Sequence, residues 1–144
     1  MKFFGSALLG VGLVCVAFGQ NSAFMDYVAR IKEQIQEIDI EGLQRLQREH
    51  GNLTIIDVRE DSEWEAGHLQ GAVHMSKGVL EWRIQQKIPE QDAPIVLYCG
   101  GGNRSAISAR NLQEMGYTLV FSLAGGFGAI QGAGLPVETE SKDQ

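Results

Sequence analysis

The chain has 144 residues, of which 44% are hydrophobic, so it is long enough for one domain with a buried core and too short for a comfortable second one. The formal net charge at pH 7 is −6. No run of Lys or Arg occurs, and the aromatic residues are not interleaved with basic ones, so nucleic acid is not an expected partner.

The first 19 residues have the layout of a secretory signal. Lys2 precedes an apolar run over residues 3–18, and the small residues Ala17 and Gly19 close the segment. The run is shorter than the ~20 residues that a spanning helix needs, and no charged stop follows it. We therefore expect cleavage near Gly19 and an exported protein, periplasmic or secreted, with no stable membrane span after cleavage. A membrane anchor retained over residues 3–18 is the alternative.

The predicted cleavage near Gly19 would change the number of cysteines in the protein. Cys15 would leave with the signal, so Cys99 would be the one thiol of the exported chain, with no internal disulfide. An odd cysteine in an oxidising compartment needs an explanation, and a reactive role is one candidate.

From Ser22 onward the sequence predicts alternating helices and strands. An amphipathic helix is assigned to residues 20–37, with Ser22 as a possible N-cap and its apolar face expected to pack on the domain through Phe24, Val28, Ile31, Ile35 and Ile38. Predicted strands cover residues 38–40, 53–58, 72–73, 95–98 and 119–123, and predicted helices cover 41–49, 61–66, 79–88, 104–115 and 126–134. The polar tail over 138–144 is expected to be a frayed terminus.

This alternation predicts an α/β domain with an open, mostly parallel sheet of about five short strands and helices on both faces. Ligands bind such sheets outside the carboxyl ends of the strands. Cys99 directly follows the predicted strand 95–98 and therefore lies at such an end.

The segment from Cys99 to Arg104 is typical of an anion-binding nucleophile loop. Its intervening residues are Gly100, Gly101, Gly102 and Asn103. Glycines permit positive φ and close backbone approach, so successive N–H groups can converge on one centre, and the following helix adds its positive dipole end. Such surroundings lower the pKa of a thiol and favour the reactive thiolate. Ser105 can donate a hydrogen bond to the sulfur, and Arg104 can close the loop or bind an anion in fork geometry.

Other kinds of site fit the sequence less well. A buried structural cysteine would not need three glycines beside it. Gln131 stands where a dinucleotide fingerprint needs its third glycine, and no Lys-Ser or Lys-Thr pair follows Gly100 as in a phosphate-binding P-loop. His50, His68 and His74 lack the paired spacing of metal ligands, so no metal site is expected, and the last two are interpreted as turn or core histidines. Trp64 and Trp82 are interpreted as packing residues, with Trp82 as a possible pocket rim.

Three motifs in order resemble the rhodanese family over residues 38–137. The loop Cys99–Arg104 followed by Ser105 resembles the six-residue active-site loop of that family. The segment from Asp57 to Ala72 resembles its first signature, with the letters DVRE, EW, GHL and GA at positions 57–60, 63–64, 67–69 and 71–72. Residues 123–127 and 133–137, LAGGF and AGLPV, resemble its C-terminal signature.

The resemblance implies a rhodanese-like fold and a sulfurtransferase activity. Cys99 would take a sulfane sulfur from a donor such as thiosulfate and pass it, as a persulfide, to a thiophilic acceptor such as cyanide or a thiol. The N–H groups of residues 100–104 would surround the transferred sulfur. Asp57 and Arg59 would support the site through an ion pair. No cofactor beyond the covalent persulfide is implied, and a sulfur-relay protein is a conceivable partner.

Two alternatives stay open at this stage. A carrier would hold the persulfide for a partner without turning over thiosulfate efficiently. Rhodanese-like phosphatases and arsenate reductases resemble the same arrangement but have one more residue between Cys and Arg. Four residues separate Cys99 from Arg104, which should make the loop too tight for phosphate.

Overall fold

A computed structural model describes residues 22–140, so the predicted signal segment 1–19 lies outside the described residues. The helices are α1 (Ser22–Lys32), α2 (Ile40–Glu49), α3 (Asp61–Ala66), α4 (Leu80–Lys87), α5 (Asn103–Glu114) and α6 (Gly126–Gly132). The strands are β1 (Gln36–Ile38), β2 (Thr54–Asp57), β3 (His68–Leu69), β4 (Val73–His74), β5 (Ile95–Tyr98), β6 (Val120–Leu123) and β7 (Val137–Glu138). In this part of the chain no helix is both long and apolar enough to cross a membrane.

Five of these strands form one parallel sheet in the order β1-β6-β5-β2-β4. The register aligns Asp57 at the end of β2 with Tyr98 at the end of β5. The sequence-based prediction of an open parallel sheet with helices on both faces is confirmed. Cys99 follows β5, a central strand, at the carboxyl edge of the sheet.

Side chains of β5 alternate between two hydrophobic clusters, one on each face of the sheet. Ile95 and Leu97 pack in the cluster that includes Leu80, Ile84 and Leu112 of α4 and α5. This period of two is the pattern of a strand buried on both faces. Each fully buried aliphatic side chain contributes about 1.5–3 kcal/mol.

The opposite face of the sheet packs against α2 and α6. Val96 and Tyr98 of β5 join Leu43 and Ile130 there, and all four side chains are buried. The sheet is therefore covered on both sides, and β5 holds the residue that follows it in a fixed position.

The first three elements differ from their predicted bounds. The helix predicted over residues 20–37 ends at Lys32, because residues 36–38 pair with β6 as strand β1. β1 ends at Ile38 and α2 begins at Ile40, because Asp39 is the N-cap and accepts a hydrogen bond from Gly42 N–H at 2.8 Å. On α1 only Val28 and Ile31 are buried, whereas Phe24 is 41% exposed. The expected packing of Phe24 is wrong, since α1 rests chiefly on the single helix α5 and only a narrow stripe is covered.

The expected frayed tail is wrong for its first residues. β7 pairs antiparallel with β3, matching His68 with Glu138 and Leu69 with Val137. Trp64 Nε1–H donates to Glu140 Oε1 at 2.9 Å. The polar composition of the tail does not reveal these contacts, because they depend on strand β3, about 70 residues earlier in the chain. Residues 141–144 lie outside the described residues.

Candidate active site

The loop that begins at Cys99 links β5 to the N-terminus of α5. Gly102 is the N-cap of α5 and has φ 105°, a left-handed conformation that favours glycine. Cys99 is a free thiol and only 1% exposed, so it lies at the floor of the loop rather than on its rim.

Several hydrogen-bond donors converge on Cys99 Sγ. The N–H of Gly102 donates to it at 3.0 Å, and the Ser105 hydroxyl at 3.5 Å. Burial opposes ionisation, but hydrogen bonds from the Ser105 side chain and from the N–H groups of Ser105, Gly102 and Gly101 outweigh it and lower the pKa of Cys99. That the N–H groups of Gly100, Asn103 and Arg104 also surround the transferred sulfur stays a prediction. These hydrogen bonds therefore stabilise the thiolate relative to the thiol.

A second serine, Ser122 of β6, contacts Ser105. Ser122 Oγ donates to Ser105 Oγ at 2.9 Å, and both side chains are fully buried. Because this bond uses a lone pair of Ser105, the Ser105 hydrogen can be donated to either of two acceptors, Cys99 Sγ or the Gly102 carbonyl oxygen, which lies 3.3 Å away. The sequence patterns above do not single out Ser122. The signal for it is a polar residue within a strand whose other residues, Val120, Phe121 and Leu123, are apolar.

The N-terminus of α6 fixes the orientation of the loop peptides. Phe127 N–H donates to the Cys99 carbonyl at 2.7 Å, and Gly128 N–H donates to the Gly100 carbonyl at 3.2 Å. In a trans peptide the next N–H points the opposite way, so the Gly101 N–H faces away from α6. This N–H is one of those that lower the pKa of Cys99. Position 126 must be glycine, because its φ is 53° and a Cβ there would collide with the Cys99 carbonyl.

Asp57 and Arg59 form the predicted ion pair at the end of β2. Arg59 Nη2 lies 2.7 Å from Asp57 Oδ2, and the Arg59 Nε and backbone N–H also donate to the same carboxylate. Asp57 is fully buried and Arg59 is 4% exposed. The guanidinium also donates to the Gly67 carbonyl at 2.7 Å and lies 4.1 Å from the centre of the Phe127 ring. The pair therefore joins β2, the end of α3 and the α6 turn that holds the loop.

Arg104 makes a contact that the sequence did not indicate. Its Nη1 and Nη2 atoms donate to Glu63 Oε2 and Oε1 of α3 at 2.7 and 2.8 Å. The pKa of Glu63 is lowered to about 2, and the largest cause is the pair of hydrogen bonds that Arg104 donates to its carboxylate. Burial opposes this shift, and the Glu60 backbone N–H adds to it. The guanidinium fork that was expected to close the loop or bind an anion is thus occupied by a carboxylate.

His68 and His74 pack on Trp64, whereas Trp82 lies at the surface. His68 is 4% exposed and stacks on Trp64 with ring centres 3.3 Å apart, and the His74 ring lies on the same indole at 4.9 Å. Trp82 is 71% exposed, so its interpretation as a packing residue is wrong. From residue 22 to residue 140, no group of three or more His, Cys, Asp or Glu side chains is arranged to hold a metal ion.

Comparison with protein families places this geometry in context. A family model described as "Rhodanese-like domain" matches residues 39–133, about two thirds of the chain. The chain belongs to this family. The matched range of this rhodanese-like domain runs from the N-cap of α2 to the end of α6 and includes the whole nucleophile loop.

Solved structures show the same fold. A possible tyrosine phosphatase of unknown function from Rhodopseudomonas palustris is 29% identical, with a TM-score of 0.73 over 83% of this chain and 96% of that chain. The polysulfide-sulfur transferase homodimer from Wolinella succinogenes is 26% identical, with a TM-score of 0.70 over 85% and 91% of the two chains. A rhodanese with anions from E. coli is 31% identical, with a TM-score of 0.54 over 60% and 98%.

Proposed function

We propose that this rhodanese-like domain is a sulfurtransferase that carries sulfane sulfur on Cys99. Membership of the family supports sulfur transfer as the general chemistry, and so do the Wolinella and E. coli neighbours. The observation that carries the proposal is the free, buried Cys99 thiol, whose pKa is lowered by hydrogen bonds that outweigh its burial. The thiolate is the form that attacks sulfur, and a lowered pKa increases the fraction of Cys99 in that form.

The proposed reaction transfers one sulfur atom in two steps, first from the donor to Cys99 Sγ and then from Cys99 to the acceptor. Cys99 Sγ attacks the outer sulfur of a donor such as thiosulfate, the S–S bond of the donor breaks, and sulfite leaves with the bonding electrons. Cyanide or a thiolate then attacks the outer sulfur of the Cys99 persulfide, and the electrons of that S–S bond return to Cys99. The N–H groups of Gly101 and Gly102 would stabilise the anionic sulfur in both steps. No metal or redox cofactor takes part in this scheme.

The experiment that tests this function is cyanide-dependent consumption of thiosulfate, followed as thiocyanate formed. We expect steady-state turnover by the wild-type protein and none by Cys99→Ser. The mature protein, which lacks Cys15 with residues 1–19, should gain the mass of one sulfur atom per molecule when incubated with thiosulfate alone, and the mature Cys99→Ser variant should gain none. Labelling of Cys99→Ser would contradict the assignment.

The carrier alternative predicts a different pattern in the same assay. A carrier would gain one sulfur rapidly and then fail to turn over thiosulfate with cyanide. A rhodanese-like phosphatase would instead release phosphate from an aryl phosphate, a reaction suggested by the name of the Rhodopseudomonas neighbour. The four residues between Cys99 and Arg104 argue against it, so we expect no phosphate release.

We also propose export of the mature protein. The mass of the protein isolated from its host would reveal a cut near Gly19. The same spectrum would show whether Cys99 already carries sulfur, and a chain that retains residues 1–19 would favour the anchored alternative.

A further inference from the structure

We propose that Glu63 determines which sulfur donors this site accepts, because its carboxylate occupies the guanidinium fork of Arg104. A dianionic donor such as thiosulfate must displace that carboxylate to bind Arg104. A persulfide donor that presents its sulfane sulfur without an adjacent oxyanion need not do so. The proposal rests on the proposed function and names Glu63 as a specificity-determining residue within it.

The contact between Glu63 and Arg104 uses the binding geometry that an oxyanion would need. Both carboxylate oxygens face both terminal nitrogens, at 2.7 and 2.8 Å, which is the bidentate arrangement that guanidinium groups also offer to sulfonate or phosphate oxygens. The two side chains are 36% and 33% exposed, so the pair lies at the surface of the site and within reach of a dissolved donor.

Glu63 is held in this position by its own helix. Its Oε2 atom accepts a hydrogen bond from the Glu60 backbone N–H at 3.1 Å, as one half of the capping box that begins α3. The carboxylate is therefore directed at Arg104 by the N-terminus of α3. A donor that displaces Glu63 from Arg104 competes with a pre-positioned anion rather than with water.

The ion pair lies beside the nucleophile loop. A methyl group placed on the Cα of Gly100, the residue after the nucleophile, would be 3.2 Å from Arg104 Nη2 and 3.9 Å from Glu63 Oε1. The lowered pKa of Glu63 keeps it ionised throughout the neutral range. Its charge offsets that of Arg104 at the place where an anionic donor would approach Cys99.

The test compares Glu63→Gln with the wild-type protein and with Glu65→Gln. The glutamine at position 63 removes the charge and keeps an amide oxygen that can still accept from Glu60 N–H, so α3 should stay capped. Glu65 lies exposed on the same helix, so its replacement changes the net charge equally and serves as the matched control. Circular dichroism and thermal unfolding of each variant confirm that the fold is kept.

The first readout is alkylation of Cys99 at low salt by iodoacetate and by iodoacetamide. These reagents have nearly the same size and differ in charge, so the buried position of the thiol slows both and cancels in the ratio of their rates. Freeing Arg104 should raise the iodoacetate-to-iodoacetamide ratio about 5-fold or more in Glu63→Gln. We expect Glu65→Gln to stay within about 2-fold of the wild type. An unchanged or lower ratio in Glu63→Gln would overturn the proposal.

The second readout is the thiosulfate reaction. We expect the KM for thiosulfate to fall about 5-fold in Glu63→Gln, with a smaller change in kcat, since the released fork binds the donor. A KM that rises would show that Glu63 positions Arg104 for the donor, which also overturns the proposal.

The two readouts separate the two proposals. Normal thiosulfate turnover, with the same iodoacetate-to-iodoacetamide ratio in Glu63→Gln as in the wild type, would support the sulfurtransferase assignment. It would also show that Glu63 does not determine which donors the site accepts. A raised ratio in a protein that never turns over thiosulfate would contradict the sulfurtransferase assignment with thiosulfate and support Glu63 as the control of anion access to Cys99.

Discussion

Two arginine–carboxylate pairs lie near the carboxyl edge of this sheet, and they differ chiefly in burial. The Asp57–Arg59 side chains are 0% and 5% exposed, whereas those of Glu63 and Arg104 are 36% and 33% exposed. Both pairs are bidentate, and their shortest N–O distance is the same, 2.7 Å. The chemistry of the groups therefore does not decide what each pair does.

Burial decides it. The guanidinium of Arg59 also bonds to the Gly67 carbonyl and covers the Phe127 ring, so the buried pair connects parts of the domain that must stay together. The exposed pair contacts solvent beside the nucleophile loop, where an anion from outside can compete for Arg104. We expect loss of the first pair to reduce stability and loss of the second to alter reactivity.

The largest expected effect is that of Arg59→Met on stability. This change leaves the Asp57 carboxylate buried without its partner, and breaking a buried pair in this way costs about 3–5 kcal/mol. The measurement is the free energy of unfolding from urea denaturation at neutral pH. A loss below about 1 kcal/mol would show that the two pairs do not differ as their burial implies.

Arg104→Met is the matched change in the exposed pair. Because Glu63 is left in contact with water, the free energy of unfolding should fall by about 1 kcal/mol or less. The kcat/KM for thiosulfate should fall about 10-fold or more, the loss expected for a charge-assisted hydrogen bond. Unchanged kinetics would give Arg104 a peripheral role.

A smaller effect is expected from pH on the exposed pair. Because folding lowers the pKa of Glu63 from 4.5 to about 2, its pairing stabilises the protein fully above pH 4.5, and this stabilisation is lost as the pH falls through about 2. Solvent screening limits it to about 1 kcal/mol or less. The difference in unfolding free energy between wild type and Glu63→Gln should therefore shrink steadily when urea titrations are repeated below pH 4.5. A difference that grows with acidity would contradict this assignment.

The sequence predicted most of this architecture, because the main sheet and its helices have clear hydrophobic periods. The strand 95–98 and the loop after it follow from local patterns, whereas the pair Asp57–Arg59 is implied by the resemblance to the rhodanese family. The pair Glu63–Arg104 does not, because its partners are 41 residues apart and each is compatible with a solvated surface position. Ser122 was missed for a similar reason, since its hydrogen bond to Ser105 depends on two neighbouring elements. β3 and β7 were missed because each is two residues long and its only pairing is with the other, about 70 residues away in the chain.

The smallest effect expected concerns the serine behind the nucleophile. Ser122→Ala removes the hydrogen bond that Ser122 donates to Ser105 and that positions the Ser105 hydroxyl beside Cys99 Sγ and the Gly102 carbonyl, so we expect the pKa of Cys99 to rise. Ser108→Ala is the control, because Ser108 is equally buried on α5 and its hydroxyl has no hydrogen-bond partner in the described part of the chain. The pH midpoint of Cys99 alkylation should move upward only in Ser122→Ala. Equal midpoints in the two variants would remove Ser122 from the site.

The most direct test of the account is the pH dependence of Cys99 alkylation by neutral iodoacetamide in the wild-type protein. Hydrogen bonds from Gly101, Gly102 and Ser105 lower the pKa of this thiol despite its burial. We expect the alkylation rate to be half-maximal below the ordinary thiol value of about pH 8.5. A midpoint at or above that value would show that burial prevails over the hydrogen bonds, and it would contradict the proposed nucleophile.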